Sequence, residues 1–141
     1  MRQRRIFEFP NEGSSAMANN PVNWFEIYVQ DMERARKFYE AMLQTKLKKL
    51  NSTVPELWAF PQSFTDYGAS GALAKMEGFP SGGSSNSTLV YFSCVDCAVE
   101  AKRAVAAGGR ILKEKFSIGE YGFIVLAFDT EGNMFGLHSM Q

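Results

Sequence analysis

The sequence predicts an α+β domain made of two tandem βαβββ modules, with mixed sheets and the helices outside. Three observations carry that expectation. An alternating apolar stretch running into an Asp and then a helical period occurs twice, at Trp24–Met42 and again at Leu89–Val105. A shift of 65 residues pairs Asp31 with Asp96, Lys37 with Lys102, Ala41 with Ala106, Leu47 with Leu112 and Gly71 with Gly136, each at the same point of one plan. The stretch between the two halves, Gly78–Ser87, is rich in Gly and Ser and reads as a linker.

Taken in order, residues 1–20 have no period and read as a disordered or vector-derived tail, leaving one domain over 21–141. That domain divides into a module at 22–77, a linker at 78–86 and a module at 87–140. In the first strand, side chains alternate faces, so Phe25, Ile27 and Val29 share an apolar face while Trp24, Glu26 and Tyr28 share the other. Asp31 caps the helix that follows, in which Met32, Ala35, Phe38, Tyr39, Met42 and Leu43 fall on one side. Strands are expected at Thr45–Leu50, at Glu56–Phe60 before Pro61, and at Ser70–Met76. The second module repeats the plan: a strand at Leu89–Cys94, an Asp96 cap, and a helix from Cys97 to Ala107 stopped by Gly108-Gly109. Strands from Arg110 through Phe116, Tyr121 to Phe128 and Met134 to Ser139 complete it.

Composition narrows the function. Fifteen basic and fifteen acidic residues cancel, so no net field draws the chain to nucleic acid or to an anionic membrane. No apolar run is long enough to span a bilayer. The basic start Met1–Arg5 leads into no signal-peptide core, and two cysteines fit a reduced, cytoplasmic protein. Cys94-Val95-Asp96-Cys97 has redox spacing, but Cys94 lies on the helix-packing face and Asp96 would raise a thiolate's pKa. Core packing is the better reading of that pair.

The motifs Tyr28-Val29-Gln30-Asp31 with Ala35 and Phe38-Tyr39, Ala106-Ala107-Gly108-Gly109, and Phe128–Asn133 followed by Gly136-Leu137-His138 resemble the vicinal oxygen chelate superfamily. That superfamily contains glyoxalase I, extradiol dioxygenases, and bleomycin and fosfomycin resistance proteins, and the nearest likeness is to a branch related to lactoylglutathione lyase. The resemblance implies that the modules curve around a cavity. It also implies a homodimer, and metal ligands, where present, on the first and last strands of each module. Those positions here are Trp24, Leu89, Gly71 and Gly136, none of which can ligate a divalent metal. No metal and no cofactor is therefore expected.

If Trp24 faces the cavity, alternation brings Glu26 and Tyr28 with it, and Tyr91 and Ser93 from the second module. Gly71 would bring Lys75, and Gly136 would bring His138. The predicted site thus has Glu26 and His138 as catalytic candidates and Trp24, Tyr28, Lys75, Tyr91 and Ser93 as ligand contacts, an aromatic lining with a few polar points. A carboxylate among aromatic rings loses hydration, which favours its neutral form and could poise it as a general base; a structural carboxylate is the plainer alternative. For Gly71 and Gly136, widening the cavity and relieving crowding in a curved sheet are equally open. The function expected is metal-independent binding, with or without turnover, of a small organic molecule. A lyase or isomerase using Glu26 as base is one alternative, and an interaction subunit with a vestigial cavity is the other.

Overall fold

The computed structural model describes residues 20–63, 65–80 and 86–141. Most of the expected tail and residues 81–85 of the expected linker lie outside them. The elements are β1 (Val22–Tyr28), α1 (Met32–Leu43), β2 (Lys48–Lys49), β3 (Glu56–Ala59), β4 (Ser70–Lys75), β5 (Thr88–Ser93), α2 (Cys97–Ala106), β6 (Arg110–Ser117), β7 (Phe123–Phe128) and β8 (Met134–Ser139). Asp31 and Asp96 both sit in extended conformation and accept first-turn amides, from Arg34 and Ala98 respectively. The two helices therefore start where the capping residues place them.

All eight strands join one mixed, open sheet in the order β2-β3-β4-β1-β5-β8-β7-β6. Within each module the first strand runs parallel to the last, β1 to β4 and β5 to β8. The modules meet where β1 and β5 pair antiparallel, with Trp24 opposite Tyr91, Phe25 opposite Val90 and Glu26 opposite Leu89. Phe25 and Val90 are the residues that a 65-residue shift equates, so a pseudo-two-fold axis passes between them. The internal repeat of the sequence is thus the symmetry of the sheet.

Two faces follow. On one, Met32, Leu47 and Leu73 pack with Ile27, Tyr39 and Trp58 under α1, and Cys97, Ala101, Val125 and Leu137 pack under α2. On the concave face, Tyr28, Ala74, Leu89, Tyr91, Ile124 and Met134 form a separate apolar cluster with no helix over it.

Two strands are shorter than their patterns suggest. Only Lys48–Lys49 pair from the Thr45–Leu50 stretch, because the Glu40 side chain of α1 accepts the Leu47 amide at 3.4 Å and holds Lys46 at 3.3 Å. The strand expected from Tyr121 starts at Phe123, after a 3-10 turn over Gly119–Tyr121 and a left-handed Gly122 (φ 99°).

Candidate functional site

The concave face is centred on Glu26, which is only 6% exposed. β1 supplies the carboxylate and, two residues to either side on the same face, Trp24 and Tyr28. Because Trp24 lies opposite Tyr91 on β5, the antiparallel pairing delivers a third donor from the second module. The Tyr28 hydroxyl donates to Glu26 Oε1 at 2.8 Å and the Tyr91 hydroxyl to the same oxygen at 3.3 Å. Trp24 Nε1–H donates to Oε2 at 3.2 Å. Among the described residues no cation pairs with this carboxylate. Burial raises its pKa above the ordinary carboxylate value, against the opposing pull of the three donors. Burial beside the carboxylate also drives both tyrosine hydroxyls well above the usual phenol range, so they stay protonated as donors.

Gly136 explains how Tyr91 reaches this position. A Cβ there would fall inside the Tyr91 ring, so the bare backbone lets the ring lie flat across β8. Gly71 does the same for the Phe25 ring, but on the α1 face. Both glycines relieve crowding; neither opens space.

The predicted residues do not all assemble. Trp24, Glu26, Tyr28 and Tyr91 form one hydrogen-bonded group, with Ser93 next on the same face of β5. Lys75 is not with them: β4 pairs Phe25 with Gly71 and Glu26 with Ala72, so Ala72 and Ala74 share the Glu26 face while Lys75 is exposed beyond Leu73. The 65-residue shift had equated Gly71 with Gly136. The parallel pairings instead place Ala72 opposite Glu26 as Gly136 lies opposite Tyr91, a shift of 64. A one-residue slip moves every side chain of a strand to the other face.

His138 lies on the concave side, but its ring serves other partners. Nε2 lies 2.6 Å from the Tyr121 carbonyl, which can only accept, so Nε2 carries the proton. Nδ1 then accepts from the Asn23 amide at 3.2 Å. Asn23 sits at the irregularity where β1 and β5 shift register. Both ring nitrogens are thereby occupied away from Glu26, which leaves no lone pair free to act as base or ligand.

Phe79, inside the Gly/Ser-rich stretch, went unnoticed in the sequence. Its ring stacks on Tyr28 with centroids 4.1 Å apart and planes 25° from parallel, packed against the concave apolar cluster. One aromatic residue in an otherwise small, polar segment was the available signal. A groove of about 440 Å3 opens instead on the opposite side, between the end of β1 and α1, and shares only Tyr28 with the Glu26 group.

These side chains do not fit a metal. Three donors occupy the carboxylate, the histidine is engaged elsewhere, and no group of three or more His, Cys, Asp or Glu converges among the described residues. The cysteine pair carries no redox chemistry. Burial and the nearby Glu100 push the Cys94 thiol up to about 12, and Cys97, the first residue of α2, is fully buried.

Residues 22–137 match the Glyoxalase/Bleomycin resistance protein/Dioxygenase superfamily. No curated protein matches the sequence. Among solved structures, a variant of Streptomyces coelicolor methylmalonyl-CoA epimerase in complex with 2-nitronate-propionyl-CoA is similar, with a TM-score of 0.60. The two are 18% identical over 84% of this chain and 93% of the epimerase. The Mycobacterium tuberculosis methylmalonyl-CoA epimerase gives 0.60 at 13% identity, over 86% of this chain and 88% of its own. A hypothetical protein from Bacillus halodurans C-125 gives 0.62 at 11%, over 85% and 94%. At such identities the likeness is one of fold.

Proposed function

The chain belongs to the glyoxalase/bleomycin resistance protein/dioxygenase superfamily, and we propose that it binds a small organic molecule on the concave face of its sheet, without a metal. The observation that carries this reading is the Glu26 carboxylate, buried among three aromatic donors with no cation beside it among the described residues. Burying a charge without a counter-charge costs stability, and the donors offset that cost only in part. Groups kept in such surroundings are often those that meet a ligand or move a proton. In the proposed complex, a flat part of the ligand takes the place of the Phe79 ring on Tyr28 and a polar atom meets Glu26. Where turnover occurs, Glu26 is the base, since burial raises its proton affinity and a carboxylate so raised accepts a proton more effectively. The homodimer implied by the resemblance belongs to the same proposal; a monomer mass by light scattering at micromolar concentration would count against it.

One observation favours a second reading. Every polar atom of the Glu26 group already has a partner within the chain, and Phe79 stacks on its Tyr28, as in an interaction subunit whose cavity is vestigial. A thermal-shift screen of aromatic and aliphatic fragments on the native and Glu26→Gln proteins separates the two. The ligand-binding reading expects fragments that raise the melting temperature and lose at least about tenfold in affinity on substitution, on the order of 1.4 kcal/mol. Binding that survives Glu26→Gln unchanged, beside a lowered melting temperature, would assign Glu26 a structural role.

A further inference from the structure

The outer strand of the second module, β6, does not alternate as its sequence suggests. Without interruption, Arg110, Leu112, Glu114 and Phe116 would share one face. The pairing with β7 is irregular at two points, between Ile111 and Lys113 and between Lys113 and Phe116. As a result Arg110 lies opposite Phe128, Lys113 opposite Leu126, and Phe116 opposite Ile124. Each irregularity adds one residue to β6, which advances three residues where β7 advances two, so side chains three apart fall on the same face. Phe128, Leu126 and Ile124 belong to the concave apolar cluster. The bulges therefore place two cations on the concave face. Lys115, by contrast, lies on the α2 side, where it pairs with Asp96 at 2.9 Å and sits over Phe123.

Both concave cations rest on aromatic rings of the apolar cluster. The Arg110 guanidinium is 4.3 Å from the Phe128 centroid, and Lys113 Nζ is 3.8 Å from that of Phe116. Both residues are exposed, and among the described residues neither has a carboxylate partner within 4.0 Å. The rings hold the stems in place while the charged ends stay unpaired. Four strand spacings of about 4.8 Å separate β6 from β1, or roughly 19 Å along the sheet. That exceeds the screening length of about 8 Å at physiological ionic strength, so Glu26 does not cancel the basic edge.

We propose that Arg110 and Lys113 bind the anionic group of an elongated amphipathic ligand whose apolar body lies along the concave face toward Glu26. This rests on the concave face being the ligand-binding face, and it names the class of ligand: an acid or phosphate ester on an apolar body of about ten ångströms or more. Carboxylate and phosphate share the chemistry; a planar guanidinium beside an ammonium suits either.

Biphenyl-4-carboxylate and its neutral isostere biphenyl-4-carboxamide test the proposal by titration calorimetry on the full chain. The native protein should bind the carboxylate more tightly than the amide. The double substitution Arg110→Gln with Lys113→Gln should weaken the carboxylate at least tenfold and leave the amide unchanged. Lys37→Gln, an exposed α1 substitution, should alter neither, and circular dichroism melts of all variants confirm folding. If both probes bind equally and ignore the double substitution, the anion site is wrong while ligand binding stands. If Lys37→Gln weakens the carboxylate as much as the double substitution, net charge and not this site is responsible, and the proposal falls. If neither probe binds at millimolar concentration, both the anion site and the concave-face reading fall. Replacing biphenyl-4-carboxylate by biphenyl-4-yl phosphate shows which anion the pair prefers; loss of binding with both anions in the double variant is the expected result.

Discussion

The two modules repeat one plan but line the concave face with different chemistry. On the first strands, the shift of 65 sets Trp24, Glu26 and Tyr28 against Leu89, Tyr91 and Ser93. The first module thus contributes an acid and two donors, whereas the second contributes one donor and an apolar floor. On the outer strands both modules are basic, but only β6 sets its cations, Arg110 and Lys113, on rings of the concave cluster; β2 is just Lys48–Lys49. A duplicated fold supplies two equivalent half-surfaces; the first holds the buried acid, and the second holds the cations that rest on concave rings. The symmetry belongs to the backbone and the function to its breaking.

The comparison breaks most sharply at the last strands. Gly136→Val should force the Tyr91 ring off β8 and cost at least about 1–3 kcal/mol, the usual penalty of overpacking. Ala72→Gly, at the matching point of the first module, should cost only about 0.5–1 kcal/mol. Urea denaturation of the two variants measures both, and equal losses would deny that Gly136 exists for Tyr91. Next in size is the unequal grip of the two tyrosines. Tyr28→Phe, losing a 2.8 Å bond, should cost about 1.5–3 kcal/mol, and Tyr91→Phe, losing one at 3.3 Å, about 1 kcal/mol or less.

The pH dependence of Glu26 sharpens the contrast between acid and donors. Its folded pKa is raised by burial, so its stabilising contribution is complete below the ordinary value near 4.5 and is lost as pH rises through the folded value. The melting temperature of the native protein, relative to Glu26→Gln, should therefore fall as pH rises above about 4.5. A difference that grows with pH would mean the three donors outweigh burial. The smallest effect is expected at the surface. Lys37→Gln breaks an ion pair with Glu33 whose side chains are 77% and 75% exposed, and should change stability by less than about 0.5 kcal/mol. Lys115→Gln, in the half-buried pair capping α2, should cost more.

Much of this was legible in the residues. Both capped helices and the apolar and aromatic faces of β1 follow from period and capping alone. Glu26, Trp24, Tyr28 and Tyr91 were legible because alternation in a regular strand settles the face once one residue is fixed. Lys75 was misplaced because the repeat is off by one in its last strand, and identities such as Gly71 with Gly136 cannot reveal a single-residue slip. Arg110 and Lys113 were hidden for a related reason. Bulges suspend the period of two, and nothing in Arg110–Ser117 marks them as a Gly or Pro would. Asn23 and Phe79 were missed because their partners lie 115 and 51 positions away, beyond any local pattern.

The two irregularities of β6 bear also on how copies of this chain meet. An open sheet ends in strands whose free amides and carbonyls invite another strand to add, the usual route to edge-to-edge association and fibrils. Of the two edges here, β2 offers two residues, both lysine. β6 offers eight, but its backbone is out of step with a straight ladder at two places and carries Lys113, Glu114 and Lys115 in the middle. A flat incoming strand would find no long run of evenly spaced partners on either side. Among the described residues, both edges of the sheet thus disfavour the addition of a further strand.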